Sequence, residues 1–438
     1  MWKYCLTLVL SCTVCFVHAQ QSDAPKLDSF LNALAAHDKF MGSVAVTKNG
    51  TLVYARATGY ADVAAKLPAD GETKYRIGSI SKTFTAALVF KAIESRQLAL
   101  DQTLSSWFPG IAQADKITIR HMLSHRSGIH NFTANQDYLS WSTQPKTEKE
   151  LVDIITKGGS DFEPGSRMSY SNSNYVLLTY ILEKVFKQPY AKLLTTYICK
   201  PAGLTNTYLG GKIRTADHES NSYKFLGQWQ LMPETDISVP LGAGGIVSTP
   251  ADLTRFLRAL FTGKIISRES VEQMKPVSNQ EGLGLFPMPF GDKAGYGHNG
   301  GIDGFSSLCA YYPADDISFA ITSNGANYDI NNIAIILMSA AYGVPWEMPP
   351  FSAYAVTSEE LDQYTGVYAS KDLPIKITFT RQDNTLIGQV TGQTALALEP
   401  TGKHQFRIDR VKAEMTFDPA AKTMTLKQAG RVMVFTKE

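Results

Sequence analysis

The 438 residues carry 42 Lys and Arg against 40 Asp and Glu, a formal net charge of +2, with 44% hydrophobic and 11% aromatic residues. That length leaves room for more than one domain, and the fractions are those of an ordinary soluble globular protein. No long block of like charge is present, so nothing in the charge pattern calls for a nucleic-acid or strongly acidic partner.

The chain opens with Lys3, an apolar run over residues 6–17 and the small-residue ending Val17-His18-Ala19. This is the pattern of a signal peptide over 1–19, cleaved after Ala19, which predicts a secreted or periplasmic protein. The apolar run is too short to span a bilayer comfortably, so no stable membrane span is expected once the leader is gone. Cys5, Cys12 and Cys15 would leave with it. Cys199 and Cys309 remain, either as a pair or as buried free thiols, and neither has the company of a metal site.

Residues 26–37 read as an amphipathic helix, and residues 42–56 as a hairpin turning at Asn49-Gly50, the dipeptide that a type I′ turn favours. Next comes Tyr75-Arg76-Ile77-Gly78-Ser79-Ile80-Ser81-Lys82, with a helix predicted from Ser79 through Phe84, Ala87, Leu88 and Ile93. Residues three apart share a helix face, so the Lys82 amine can reach the Ser79 hydroxyl. A serine hydroxyl needs a neighbouring base, and an amine serves as one only after losing its own proton. Burial and nearby positive charge would both push Lys82 toward neutral. The Ser79 N–H at the helix N-terminus points where an oxyanion would form. On its own, serine-x-x-lysine is a common coincidence.

A short helix is expected over 117–128. His121 and His125 stand four apart there, but no third ligand at a familiar spacing supports a metal, and a structural role is expected. Residues 131–162 are polar and aromatic with weak periodicity, a surface excursion placed to overhang a pocket and set substrate choice. After Pro164-Gly165, the triplet Tyr170-Ser171-Asn172 stands at the entrance of a helix through Val176, Leu177, Tyr180, Ile181 and Val185. Residues 201–240 look irregular. The glycine-rich 241–245 lacks the Gly-Lys-Ser/Thr ending of a phosphate loop and reads as a tight turn. Thr249 and Pro250 begin another helix as N-cap and first position.

His298-Asn299-Gly300-Gly301 precedes a strand over 305–312, which pairs with one over 317–323, and residues 333–341 form a buried terminal helix. Pro345, Pro349 and Pro350 mark a linker over 345–356. From 357 to 438, short alternating runs at 375–379, 386–390, 415–417 and 432–435 predict a small all-β domain in which His404 is a surface histidine.

Ser79 with Lys82, Tyr170-Ser171-Asn172 and His298-Asn299-Gly300, in this order and with the wording of 117–128, Phe162-Glu163-Pro164-Gly165 and 244–255, resemble the class C β-lactamase, serine DD-peptidase and esterase superfamily. The resemblance covers roughly 28–342, within a hydrolase domain placed at 20–344. It implies an α/β (α+β) fold, with an antiparallel sheet flanked by helices beside a helical region, and a lipocalin-like all-β domain behind it. It implies Ser79 as the acylated nucleophile, Lys82 as its amine partner and Tyr170 as a phenol that shuttles protons as a phenolate, its pKa lowered by Lys82 and a protonated His298. Asn172 would bind a substrate amide and hold Lys82, His298 and Gly300 would line the substrate site, and the Gly301 N–H would complete the oxyanion hole with that of Ser79. No metal or organic cofactor is implied. The partner would be a small-molecule ester, peptide or peptidoglycan-like substrate. Histidine replaces the lysine of the lysine-threonine-glycine usual in true β-lactamases, which favours ester or D-amino-acid amide bonds over β-lactams. The alternatives are a β-lactamase proper and a non-catalytic acylated sensor of the same fold.

Overall fold

The computed structural model describes residues 23–276, 282–351, 354–371 and 373–438. The expected leader, 1–19, lies outside the described residues. A six-stranded antiparallel sheet organises the larger part of the chain, in the order Phe286–Pro287, Tyr296–Ile302, Phe305–Tyr312, Ile317–Ala326, Phe40–Lys48, Thr51–Thr58. Phe40–Lys48 is buried along all but its last residue because helices cover both faces of the sheet. Its hairpin partner follows through Asn49 at φ +52° and Gly50 at φ +77°, the left-handed pair that the asparagine-glycine turn requires.

On one face the helices Ala24–Ala36 and Ile330–Tyr342 bury Phe30, Leu34, Ile333 and Leu337 against Val44, Leu308, Phe319 and Ile321. On the other, helix Pro250–Phe261 packs on the central strands, with Thr249 capping its N-terminus through the Asp252 N–H. Phe256 of that helix stacks on Phe84 with ring centroids 3.6 Å apart. Phe84 belongs to Ser81–Glu94, which is buried almost all round rather than along one stripe. A helix enclosed in this way is the centre of a domain, and here it is the floor on which the site is built. Helix Asn172–Phe186 lies beside it.

Two regions read as irregular contain regular structure. The excursion 131–162 holds helices Tyr138–Trp141 and Glu148–Gly158, the second closed by a Thr147–Glu150 capping box. Strands Tyr223–Phe225 and Trp229–Leu231 form a hairpin within 201–240.

Residues 366–437 close into an eight-stranded antiparallel barrel, twice the number of runs visible in the sequence. Its interior is filled by Phe379, Phe406, Phe417, Met424 and Leu426, with Phe379 and Phe417 centroids 5.0 Å apart, so it is packed core rather than a ligand cup. Tyr364 and His404 join through a 2.7 Å hydrogen bond at the phenol oxygen and Nδ1, so His404 has a fixed partner. The barrel is tied to the larger part by Lys39, which lies 2.6 Å from Glu399, and by Lys412, 3.5 Å from Asp329. Within the proline-marked stretch, Trp346 and Phe351 bury themselves against Phe30. Cys199 and Cys309 are both buried free thiols.

Candidate active site

The turn that carries Ser79 owes its shape to Gly78. Tyr75–Arg76 pairs with Ile246–Ser248, and the chain then leaves the strand at Gly78 with φ +51°. A single 3₁₀ turn, Gly78–Ile80, carries Ser79, and the α-helix begins at Ser81, two residues later than the sequence pattern suggests. Side chains three apart eclipse one another in such a turn. Lys82 Nζ accordingly lies 3.0 Å from Ser79 Oγ.

Lys82 is fully buried. Its Nζ donates to Asn172 Oδ1 at 2.8 Å and to the Ala243 carbonyl at 2.7 Å. Burial holds the amine well below the usual lysine range; of the two causes expected, this is the one that acts. A neutral amine has two N–H bonds and one lone pair. With both N–H bonds spent on Asn172 and Ala243, the lone pair is left for the Ser79 hydroxyl.

Asn172 is held in turn. Its Nδ2 donates to Thr133 Oγ1 at 3.0 Å, and its backbone N–H donates to Asn131 Oδ1 at 3.0 Å. The excursion therefore holds Asn172 through Asn131 and Thr133. Ala243 comes from the glycine-rich run, whose Gly242 carbonyl accepts from Thr85 Oγ1 at 2.7 Å. A Cβ on Gly242 would stand 2.5 Å from that same oxygen, so the glycine permits the close approach.

Tyr170 stands just before helix Asn172–Phe186, its ring 4.8 Å from Lys82 Nζ. Burial raises the phenol above its ordinary value. The expectation of a phenol acidified by a protonated His298 is corrected here. His298 is buried, and desolvation pulls its imidazole down to about 3, so it is neutral near pH 7. Its Nδ1–H donates to the Asn299 carbonyl, Phe286 packs edge-on at 4.7 Å, and Nε2 has no partner among the described residues.

His298, Gly300 and Gly301 also sit within a strand, Tyr296–Ile302, rather than ahead of one. That strand runs directly over the Ser79 turn. A Cβ on Gly300 would stand 2.1 Å from the Ile77 carbonyl and 3.0 Å from the Ser79 nitrogen. Ser307 on the neighbouring strand donates to the same Ile77 carbonyl at 2.7 Å, tying the sheet to the turn. Ser79, Lys82, Tyr170, Asn172 and the 298–301 strand are thus brought together.

His121 and His125 do not act as a pair. His121 Nδ1 accepts the Thr118 N–H in the capping box of helix Ile119–Leu123, whereas His125 lies beyond the helix end, stacked on Tyr170. Among the described residues no group of three or more His, Cys, Asp or Glu could hold a metal ion, and no helix is long and apolar enough to cross a membrane. Sequence reasoning missed Asn131, Thr133 and Ala243, and gave His125 a structural role without its partner. For Ala243 the run of glycines was the available sign.

The family model described as Beta-lactamase matches residues 28–338. Penicillin-binding protein 4* of Bacillus subtilis is 28% identical over 450 residues, covering 94% of this chain and 98% of that protein. The D-amino acid amidase of Ochrobactrum anthropi SV3, solved with L-phenylalanine amide, superposes with a TM-score of 0.64 at 27% identity, over 73% of this chain and 99% of that one. A D-stereospecific amidohydrolase from Streptomyces sp. gives 0.61 at 28% identity, over 69% and 95%. The chain belongs to the Beta-lactamase family, as a serine β-lactamase-fold hydrolase related to penicillin-binding proteins and D-amino acid amidases.

Proposed function

We propose that this protein is an exported serine hydrolase that forms an acyl-enzyme on Ser79 and cleaves ester or D-amino-acid amide bonds. The observation that carries the reading is the coordination of Lys82, whose two donor directions are taken by Asn172 and Ala243 while the third faces Ser79 Oγ. Ser79 Oγ attacks the substrate carbonyl carbon as its proton passes to Lys82 Nζ. The oxyanion is received by the N–H groups of Ser79 and Gly301. Because Tyr170 is held neutral, it serves as the acid: its O–H proton goes to the departing amine or alkoxide, and the proton taken up by Lys82 restores the phenol. Water then attacks the ester, and the same groups run in reverse to free the acid.

Two observations bear on substrate. A buried neutral His298 offers no charge to a substrate carboxylate, which favours amides and esters over β-lactams and peptides with a free C-terminus. The amidase and amidohydrolase relatives point to the same bond type. Export rests on the leader pattern of residues 1–19.

The test is turnover of p-nitrophenyl acetate and D-phenylalanine amide, with intact-mass detection of a fluorophosphonate adduct. Ser79→Ala is expected to abolish hydrolysis and labelling together; a variant that still turns over or labels at the wild-type rate removes the assignment.

A further inference from the structure

Tyr170 lies in an irregular stretch, and helix Asn172–Phe186 begins only two residues later. A residue on another segment holds it on three sides. His125 has φ +55°, and its carbonyl accepts the Ser169 N–H at 2.9 Å while its Nδ1 accepts the Ser171 N–H at 3.2 Å. Its ring stacks on that of Tyr170 with centroids 4.2 Å apart and planes 28° from parallel. On its other flank Tyr175 approaches to 5.3 Å. The residues before and after the phenol and the phenol ring itself are thus all held by His125, which is buried. With Nδ1 an acceptor, the proton sits on Nε2. Desolvation keeps the ring neutral, which preserves that acceptor.

We propose that His125 is a positioning residue for Tyr170, aiming the phenol at Ser79 and so governing delivery of a proton to the leaving group, while leaving the Ser79–Lys82 pair unaided. The inference rests on the serine-hydrolase reading above. It extends that reading by assigning one half-reaction to a residue that touches neither substrate nor nucleophile. His125 accordingly matters in proportion to how badly a leaving group needs protonation. A p-nitrophenolate departs unaided, whereas a more basic phenolate needs the proton that Tyr170 supplies.

The experiment measures pre-steady-state phenol release from a series of aryl acetates, p-nitrophenyl to p-methoxyphenyl, for the wild type and the Tyr170→Phe, His125→Phe and His125→Asn variants. His125→Phe keeps a ring for the stack and loses the acceptor, whereas His125→Asn keeps an acceptor and loses the ring. Both are expected to fall within about threefold of wild type on the p-nitrophenyl ester and to lose on the order of ten- to a hundredfold on the p-methoxyphenyl ester, following Tyr170→Phe. Fluorophosphonate labelling of Ser79, which expels fluoride and needs little proton delivery, should be nearly unchanged. The inference is overturned if the rates fall in equal proportion across the series, as for general loosening, or if both variants match wild type. Should His125→Phe fail to fold, the slope for His125→Asn decides alone. A wild-type protein that is not labelled at Ser79 would instead sink the hydrolase reading, an outcome distinct from a labelled enzyme with an unchanged slope.

Discussion

Gly301 packs backbone to backbone against Gly78: a Cβ added to Gly78 would stand 2.6 Å from the Gly301 nitrogen. The two N–H groups proposed to receive an oxyanion come from segments more than two hundred residues apart, and glycines at 78 and 300 are what let those segments meet. Gly300→Ala should therefore push the strand off the turn, since its Cβ would fall 2.1 Å from the Ile77 carbonyl. A loss of roughly 1–3 kcal/mol of stability is expected, with acylation slowed at least about tenfold. Gly301→Ala meets only the Phe305 carbonyl, at 3.8 Å, and should stay within about 0.5 kcal/mol. Denaturant melts and burst rates of both variants check this, and equal effects would contradict it.

Lys82 works as a base only when neutral, and burial lowers its proton affinity, so acylation should rise with pH to a plateau well below the ordinary lysine range. Asn172→Asp places a negative charge where Oδ1 now stands, 2.8 Å from Nζ. An opposite charge favours the ammonium form, so more alkaline conditions are needed to free the amine. The acid limb of the burst rate is expected to move up by about one pH unit or more. A limb that stays in place or moves down would show that Lys82 is not the titrating base.

His298 makes stability pH-dependent. Its folded value of about 3 lies below the ordinary 6.5, so between these pH values the unfolded chain carries a proton at this site and the folded chain does not. Stability then rises with pH across that window and falls on acidification, by about 1.4 kcal/mol per pH unit for each such histidine. His125 is displaced in the same direction and adds to the slope. His298→Asn should flatten the dependence of unfolding free energy between pH 6 and about 4; an unchanged slope would mean that the imidazole is protonated in the fold.

Lys39 bridges the two parts of the chain, 2.6 Å from Glu399 and 3.6 Å from Asp409, with 5% of its side chain exposed. Lys39→Met leaves two largely buried carboxylates with Arg407 as their remaining cation. Breaking such a cluster by removing one partner is expected to cost about 3 kcal/mol. Thermal unfolding of the full chain measures it, and a midpoint unmoved by the substitution would place the attachment in the apolar contacts of Trp346 and Phe351 instead.

The amino-acid sequence alone determined the chemistry-bearing residues and the elements that carry them. Asn49-Gly50 marks the hairpin, Thr249-Pro250 starts a helix, and Ser79, Lys82, Tyr170, Asn172 and His298 stand in ordered short motifs, because turn chemistry, capping and i,i+3 spacing are local properties of the chain. Half the barrel strands were legible as well, where alternation is clean. What only the tertiary structure decided is every property set by surroundings. Whether Lys82, Tyr170 and His298 are charged depends on how much water they lose, and that depends on helices and strands distant in sequence closing over them. The same holds for Ala243, which serves through a carbonyl that any residue would supply, and for His125, which left helix spacing for a left-handed turn and found Tyr170. A backbone acceptor and a stacked ring leave no residue signature, because they are products of packing rather than of side-chain type.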